Sequence, residues 1–146
     1  MEEQRIVSIF QAYREINQVF FQILSKAASK HNLTALQLLV LRVLHETPEI
    51  RMSELAEKLN VGNSTMSGIV DRMVKAGILE RERTEADRRA MTMKLTEKGK
   101  ELWRETDATR MNMMRPLLSM TEQDHRELSR LQNEVLRLLK QSKEEA

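Results

Sequence analysis

The 146-residue sequence contains no cysteine, which excludes disulfide bonds, thiolate zinc sites and cysteine-based redox sensing. No apolar run approaches the roughly 18 residues of a membrane span, so the sequence predicts no transmembrane helix. The chain opens with Glu2 and Glu3 where a secretory signal would carry basic residues. From these absences we expect a soluble, cytoplasmic protein.

Aromatic residues are also scarce, at 3% of the chain, and there are only four glycines and two prolines. Hydrophobic residues nevertheless reach 40%, which is enough for a packed core and argues against disorder. That core has to be built from Leu, Ile, Val and the ten Met residues. The length fits one domain, or a small domain with helical extensions.

Residues 52–77 have the pattern of two short helices joined by a tight turn. In the first helix, apolar residues recur at i, i+3, i+4 and i+7, which is the spacing of one buried face. Residues 60–62 break the pattern with Asn and Gly, which tolerate positive φ. We expect Asn63 or Ser64 to cap the second helix and Gly77 to end it. This arrangement predicts a helix-turn-helix, whose second helix enters the DNA major groove.

The second helix leaves small or polar residues outside its apolar face, at its N-terminal end: Asn63, Ser64, Thr65, Ser67 and Gly68. Small hydrogen-bonding groups let a helix approach base edges closely, and helix N-terminal amides favour a nearby phosphate. The alternative interpretation of this segment alone is a helical hairpin with a serine-rich cap.

Helical patterns also flank this segment on both sides. Residues 2–30 keep an apolar stripe for about seven turns, longer than a small domain covers, so we expect it to pack on the C-terminal helices or on a second copy. Thr34 is the expected cap of a helix over 35–46. Thr96 is the expected cap of a helix that continues towards Pro116, and a last helix follows. In the 35–46 helix we expect five residues to be buried: Leu36, Leu39, Val40, Val43 and Leu44.

Two short strands are predicted at 78–83 and 91–95, separated by a polar loop at 84–90. A hairpin directly after a recognition helix makes a β-wing. Residues 58–100 contain ten basic and six acidic residues, a net charge of +4 against +2 for the whole chain. A charged stretch is usually a solvated face, but Arg88 and Arg89 at a loop tip fit insertion into a minor groove.

Three motifs now identify a resemblance to the MarR family of bacterial transcription regulators. Residues 87–99 fit that family's D-x-R-x5-L-T-x-x-G signature. Residues 33–41 resemble its L-T-x-x-Q-x3-L segment, and residues 70–79 resemble its V-D-R-L-x-x-x-G-L stretch, with Met73 in the usual Leu place. The motifs occur in the family's order, and the resemblance covers essentially the whole chain.

The resemblance implies a mainly α fold, a winged helix-turn-helix with a three-helix core and a two-stranded β-wing over 33–99. Residues 1–30 and 100–146 would be dimerisation helices of a single MarR-type domain over 1–146. A homodimer would read a pseudo-palindromic operator, with its two recognition helices about one helical turn of DNA apart. The DNA-contacting positions implied by the family pattern are Ser53, Asn63, Ser64, Thr65, Ser67, Arg72, Lys75, Arg83, Asp87, Arg88 and Arg89.

Within that set the resemblance implies different roles. Asp87 would orient Arg89, and Arg89 would enter the minor groove. Major-groove positions would be Ser64, Thr65, Ser67 and Arg72, and candidate phosphate contacts would be Ser53, Lys75, Arg83 and Arg88.

The resemblance also implies a ligand-responsive repressor, because many relatives release DNA when a small aromatic or anionic effector binds. Residues expected to contribute to such a pocket are Tyr13, Phe20, His31, Met52 and Trp103. No cofactor or metal is expected, and the three His share no metal-ligand spacing. Since no glycine-rich phosphate loop or nucleophile elbow occurs, we do not expect an enzyme. The competing hypothesis is a winged-helix protein-interaction module without sequence-specific DNA binding.

Overall fold

The computed structural model of the chain describes residues 1–84 and 87–146, with the side chains of all these residues except 84 and 87–90. The chain divides into two compact units, Met1–Met113 and Met114–Ala146. Among the described helices, none combines the length and the apolar character needed to cross a membrane.

Six α-helices and three short strands account for most of the chain. The helices are α1 (Glu2–Ser29), α2 (Ala35–Glu46), α3 (Met52–Lys58), α4 (Asn63–Lys75), α5 (Glu97–Met114) and α6 (Glu122–Glu145). The strands are β1 (Ile50–Arg51), β2 (Leu79–Thr84) and β3 (Asp87–Leu95), and a 3₁₀ helix occupies Arg115–Ser119. The predicted mainly α, winged helix-turn-helix fold is confirmed.

Helix α2 begins as the sequence predicts. The Thr34 hydroxyl accepts the Gln37 amide at 3.1 Å, and the Gln37 side chain accepts the Thr34 amide at 3.0 Å, so two N-terminal amides are satisfied reciprocally. The predicted buried face of α2 is partly wrong. Leu38 and Leu41 are fully buried, while the predicted Leu36 and Leu39 are only half-buried. The reason is that α2 contacts α1 on one side and β3 on another, so its buried surface is wider than one stripe.

The helix-turn-helix consists of α3, the turn at 59–62 and α4. Asn60 adopts a positive φ of 53°, as expected for this turn. The predicted cap at Asn63 or Ser64 is wrong, because Gly62 stands at the N-cap position and its carbonyl accepts the Met66 amide at 2.9 Å. Helix α4 begins at Asn63, and both Asn63 and Ser64 lie exposed within its first turn.

The sheet has three antiparallel strands in the order β1-β3-β2, so the predicted two-stranded wing is incomplete. Strand β1 pairs Ile50 with Met93, and its two residues are too few for a period-two pattern to reveal. Strand β3 begins at Asp87, within the predicted loop at 84–90, because Thr84 and Asp87 extend the β2–β3 pairing. Residues 85–86 of that predicted loop lie outside the described residues.

The junction between α4 and α5 contains the closest backbone approach among the glycines. Thr96 caps α5 as predicted, since its hydroxyl accepts the Gly99 amide at 3.0 Å. The Thr96 amide donates in turn to the Ile78 carbonyl at 3.1 Å. A Cβ atom built on Gly99 would lie 2.2 Å from the Ile78 carbonyl oxygen. Only glycine fits there without moving the backbone.

The hydrophobic core lies in the first unit and is dominated by aliphatic and Met side chains, including the fully buried Leu41, Met66 and Met73. The one tryptophan, Trp103 on α5, is buried and stacks on His45 of α2 with ring centroids 5.1 Å apart. Trp103 is therefore a packing anchor between α5 and α2.

The second unit consists of the 3₁₀ helix and α6. Pro116 lies in the 3₁₀ helix directly after α5, in agreement with the predicted break. The Thr121 hydroxyl caps α6 by accepting the Asp124 amide at 3.0 Å. Every side chain of α6 is exposed or half-buried, including a set of leucines that is 44–64% exposed.

Replacing Gly99 by Ala should destabilise the protein, although alanine favours helices. The clash with the Ile78 carbonyl should cost about 3 kcal/mol of unfolding free energy, in the range of overpacked sites. Gly68→Ala is the matched control, because an added Cβ at Gly68 meets only the Arg72 side chain, at 3.9 Å. We expect that control to gain about 0.5–1 kcal/mol from helix propensity.

Urea unfolding of both variants at one fixed protein concentration measures the difference. Stabilisation of the Gly99→Ala variant to the level of Gly68→Ala would contradict the close approach at the α4–α5 junction.

Candidate nucleic-acid interface

Helix α4 has two chemically distinct faces. Met66, Ile69, Val70 and Met73 are buried and attach the helix to the core. On the other side Asn63, Ser64 and Thr65 are exposed, and Ser67 is half-buried. The first amides of a helix lack intrahelical acceptors and carry partial positive charge. The N-terminal half of α4 therefore offers short hydrogen-bonding side chains on a surface that favours anions.

Arg72 extends the polar face of α4 towards its N-terminal half. Its Nη2 atom lies 3.9 Å from where a Cβ on Gly68 would be, so the guanidinium lies beside the preceding helical turn. Arg72 is exposed. A larger side chain at Gly68 would occupy space next to that guanidinium. At 3.9 Å an added methyl group would make only an ordinary van der Waals contact, so Arg72 can keep this position with alanine at 68.

Helix α4 has one acidic residue, Asp71, and its charge is compensated within the protein. The Asp71 carboxylate forms an ion pair with Arg81 of β2. Both side chains are partly exposed, at 50% and 33%, so the pair adds at most about 1 kcal/mol of stability. Its larger effect is geometric, because it joins the recognition helix to the β2–β3 hairpin. It also removes an uncompensated negative charge from the candidate surface.

The hairpin neutralises a second cation of the predicted basic segment. Lys94 of β3 lies 2.5 Å from a Glu82 carboxylate oxygen and 3.9 Å from one of Glu80. The hydrogen bond to Glu82, with its negative charge, holds the pKa of Lys94 above its ordinary value. Lys94 and Arg81 are thus both paired with acids of the same chain, whereas Arg72 and Lys75 make no ion pair with any described acidic side chain.

The remaining predicted DNA-contacting residues lie on four elements, α3, α4, β2 and β3. Ser53 is exposed at the start of α3, and Lys75 is exposed as the last residue of α4. Arg83 is exposed on β2, opposite Met91 in the strand register. The backbone of 87–89 belongs to β3. The side chains of Asp87, Arg88 and Arg89, and with them the predicted Asp87–Arg89 hydrogen bond, lie outside the described residues.

The five predicted effector-binding residues have different surroundings. Trp103 lines a cleft of about 410 Å³, and Tyr13 lines a groove of about 680 Å³ along α1. His31 Nε2 lies 2.9 Å from the Thr109 hydroxyl of α5. Phe20 is 42% exposed on α1, and Met52 is half-buried against the core. Tyr13 and Trp103 therefore line different cavities.

The sequence pattern did not predict the Asp71–Arg81 ion pair or the His45–Trp103 stack. Each pair joins residues from separate elements, ten positions apart in the first case and 58 in the second. Helical and strand periodicity report which face of one element is buried, not which side chains meet across two elements. The signal that the sequence does contain for this ion pair is an acidic residue, Asp71, before Gly77 and a basic residue, Arg81, after it.

Comparisons with known proteins agree with this geometry. The sequence model of the MarR family matches residues 33–91, which cover the helix-turn-helix and most of the hairpin. The HTH-type transcriptional regulator MgrA of Staphylococcus aureus is 27% identical over 144 residues, covering 99% of this chain and 95% of MgrA.

Solved structures extend the similarity to the fold. The multiple antibiotic-resistance repressor (MarR) of Listeria monocytogenes superposes with a TM-score of 0.66 at 26% identity, covering 96% of this chain and 97% of that one. A MarR family protein of Bacillus stearothermophilus superposes with a TM-score of 0.83 over 96% of this chain and 99% of that one, and at 23% identity it supports the fold alone. Residues 33–91 therefore form a MarR-family domain, and the similarity to MarR-family regulators over the whole chain supports a DNA-binding transcriptional regulator.

Proposed function

We propose that the protein is a homodimeric repressor that binds a pseudo-palindromic operator through α4 in the major groove and the β2–β3 wing in the minor groove. The observation that carries the proposal is the exposed face of α4. Short polar side chains at 63–65 and the Arg72 guanidinium share one surface, and the single acid of that helix is paired with Arg81.

A major groove about 12 Å wide admits an α-helix, and its base edges present distinct donor and acceptor patterns. Arg72 can donate two hydrogen bonds to a guanine edge, and Asn63 can pair with an adenine edge. Ser64, Thr65 and Ser67 can bond either bases or phosphates. Their shortness supports close approach of the helix backbone to the groove floor.

Phosphate and minor-groove contacts complete the proposed interface. Ser53, Lys75 and Arg83 are exposed on α3, α4 and β2, which supports contacts with the DNA backbone on either side of α4. Arg88 is proposed for phosphate and Arg89 for the minor groove, where a narrow A·T-rich segment has enhanced negative potential. These wing roles, with Asp87 orienting Arg89, rest on the family's motif.

The proposed dimer is supported by two apolar surfaces that the chain itself leaves exposed. On α1, Ile6, Phe10 and Val19 are 52–68% exposed, and on α6, Leu131 and Leu139 are 47% and 64% exposed. Contiguous apolar surface of this kind marks an association site. A second copy of the chain buries identical surfaces in both subunits and brings two recognition helices to one DNA face.

Repression and response to an effector belong to the same proposal. The Listeria monocytogenes relative is itself described as a repressor. For an effector, the cleft beside Trp103 offers a stacked His45–Trp103 pair with Lys94 and Arg104 at its wall. The stacked rings support a small aromatic effector, whereas Lys94 and Arg104 are already paired with Glu82 and Glu101. The fluorescence of Trp103 is a direct reporter of effector binding. A cytoplasmic location follows from the need to reach chromosomal DNA.

Removing the cation on the α4 face should weaken operator binding. We expect Arg72→Ala to lower affinity by about 1–3 kcal/mol, which is about fivefold to 150-fold, and to relax the base preference at one position of each half-site. Fluorescence anisotropy over a series of salt concentrations measures both affinity and counterion release.

Lys75→Ala should instead weaken binding to all DNA sequences alike. It should also reduce the salt dependence of the binding constant, the slope of log K against log[salt], by about 0.9 per lost phosphate contact.

Lys100→Ala is the matched control, because Lys100 is an exposed lysine on α5 that pairs with Glu97 at 3.2 Å. Equal affinities of the Arg72→Ala variant, the control and the wild type would exclude Arg72 as a base-reading residue.

The dimer is tested by placing a charge on the exposed apolar stripe of α1. Phe10→Glu should shift the protein from dimer towards monomer, since a carboxylate would be buried in the interface without a partner. Gln11→Glu adds the same charge on the opposite side of the helix and should leave the dimer intact. Sedimentation equilibrium across a concentration series distinguishes the two. A wild-type protein that is monomeric at micromolar concentration would refute the dimer. The proposed DNA contacts of one chain would still be tested separately by the anisotropy measurements.

A further inference from the structure

The C-terminal end of α4 is held by the first turn of α5. Three consecutive carbonyls accept hydrogen bonds there. The Ala76 carbonyl accepts from Lys98 Nζ at 2.8 Å, the Gly77 carbonyl from the Thr96 hydroxyl at 2.6 Å, and the Ile78 carbonyl from the Thr96 amide at 3.1 Å. We call these residues, 76–78 and 96–98, the α4–α5 joint.

The backbone geometry of α4 explains why it needs these donors. Gly77 adopts a φ of +75° and ends the helix, and the Ile78 amide returns to the Met73 carbonyl at 3.0 Å. The last carbonyls of a helix have no intrahelical donors and carry partial negative charge. Lys98 supplies both a donor and a positive charge at that end.

Helix α5 is attached elsewhere to the part of the fold that precedes the recognition helix. Trp103 stacks on His45 of α2, and Thr109 lies 2.9 Å from His31 in the α1–α2 connection. The same rigid helix therefore contacts the end of α4 at its first turn and the α1–α2 region further along. A displacement of α5 relative to α2 would move the C-terminal end of the recognition helix.

We propose that Lys98 is a positioning residue for DNA recognition, which fixes α4 to α5 and makes no contact with phosphate. Lys98 is one of the ten basic residues that give residues 58–100 their positive charge, so composition alone would assign it to the DNA backbone. Its ammonium group instead binds the Ala76 carbonyl. Through this bond, α5 sets the position of each recognition helix and hence the half-site spacing that a dimer accepts. The inference rests on the proposed function, because spacing has meaning only for a dimer on a palindrome.

The test compares three variants on operators selected by the wild-type dimer. Lys98→Met removes the donor and keeps the side-chain length, and Lys98→Arg restores a donor. Lys100→Met removes the same charge two residues along α5, at a lysine that pairs with Glu97. Each protein is measured on the selected operator and on versions with one base pair added or removed between the half-sites, over a salt series.

For Lys98→Met we expect about threefold to tenfold weaker binding to the selected operator, the range of a lost charged bond at a helix end. The loss of affinity caused by adding or removing one base pair between the half-sites should be smaller than for the wild type, because α4 is held less firmly. The salt slope should stay at the wild-type value. Lys98→Arg should recover both the affinity and the spacing preference, and Lys100→Met should resemble the wild type. A role confined to fold stability would lower the unfolding free energy without changing the spacing preference.

Three outcomes would overturn the inference, and the measurements distinguish them. If Lys98→Met lowers the salt slope by about 0.9 per subunit with its spacing preference intact, Lys98 is a phosphate contact. If Lys98→Met and Lys100→Met behave alike on every operator, the joint does not set spacing, and the proposed function stands. A wild type that selects no operator overturns both the proposed function and this inference.

Discussion

The close approach of Gly99 to the Ile78 carbonyl is the constraint on which the arrangement of the winged helix depends. It places the first turn of α5 directly against the residues that end α4 and begin β2. Since Thr96 also bonds this segment, one small region determines where the recognition helix stops, where the hairpin starts and where α5 leaves the core. The motif L-T-x-x-G is therefore required by the fold. It affects DNA binding indirectly, because it determines the position of the recognition helix.

The ion pairs show which basic side chains are already bound to acids of the protein and which are available to a ligand. Arg81 and Lys94 are held by acids of the same chain, so they contribute less to the outward field than a count of basic residues suggests. On α4, Arg72 lies beside small polar residues while the Asp71 charge is compensated. The surface that remains combines a helix N-terminus, short donors and one guanidinium, which fits a phosphate-lined groove better than an apolar partner surface.

The sequence predicted α1, the two helices of the helix-turn-helix and the hairpin, because each has enough residues for its period to show. It failed where a feature is short or lies between elements. Two residues are too few to reveal β1, and no local pattern distinguishes a cap at Gly62 from one at Asn63. The Asp71–Arg81 pair and the role of Lys98 depend on tertiary contacts. The motifs placed the candidate interface on α4 and the wing, but they could not separate base-reading residues from positioning residues.

Selection from random double-stranded DNA shows whether two winged helices of one dimer read a palindrome. Bound duplexes from the wild-type protein are recovered and sequenced at several salt concentrations. The account predicts enrichment of an inverted repeat with half-site centres about 10–10.5 base pairs apart, and its loss with Arg89→Ala. Absence of any enriched sequence at every salt concentration would contradict the account and favour a winged helix that binds a protein partner.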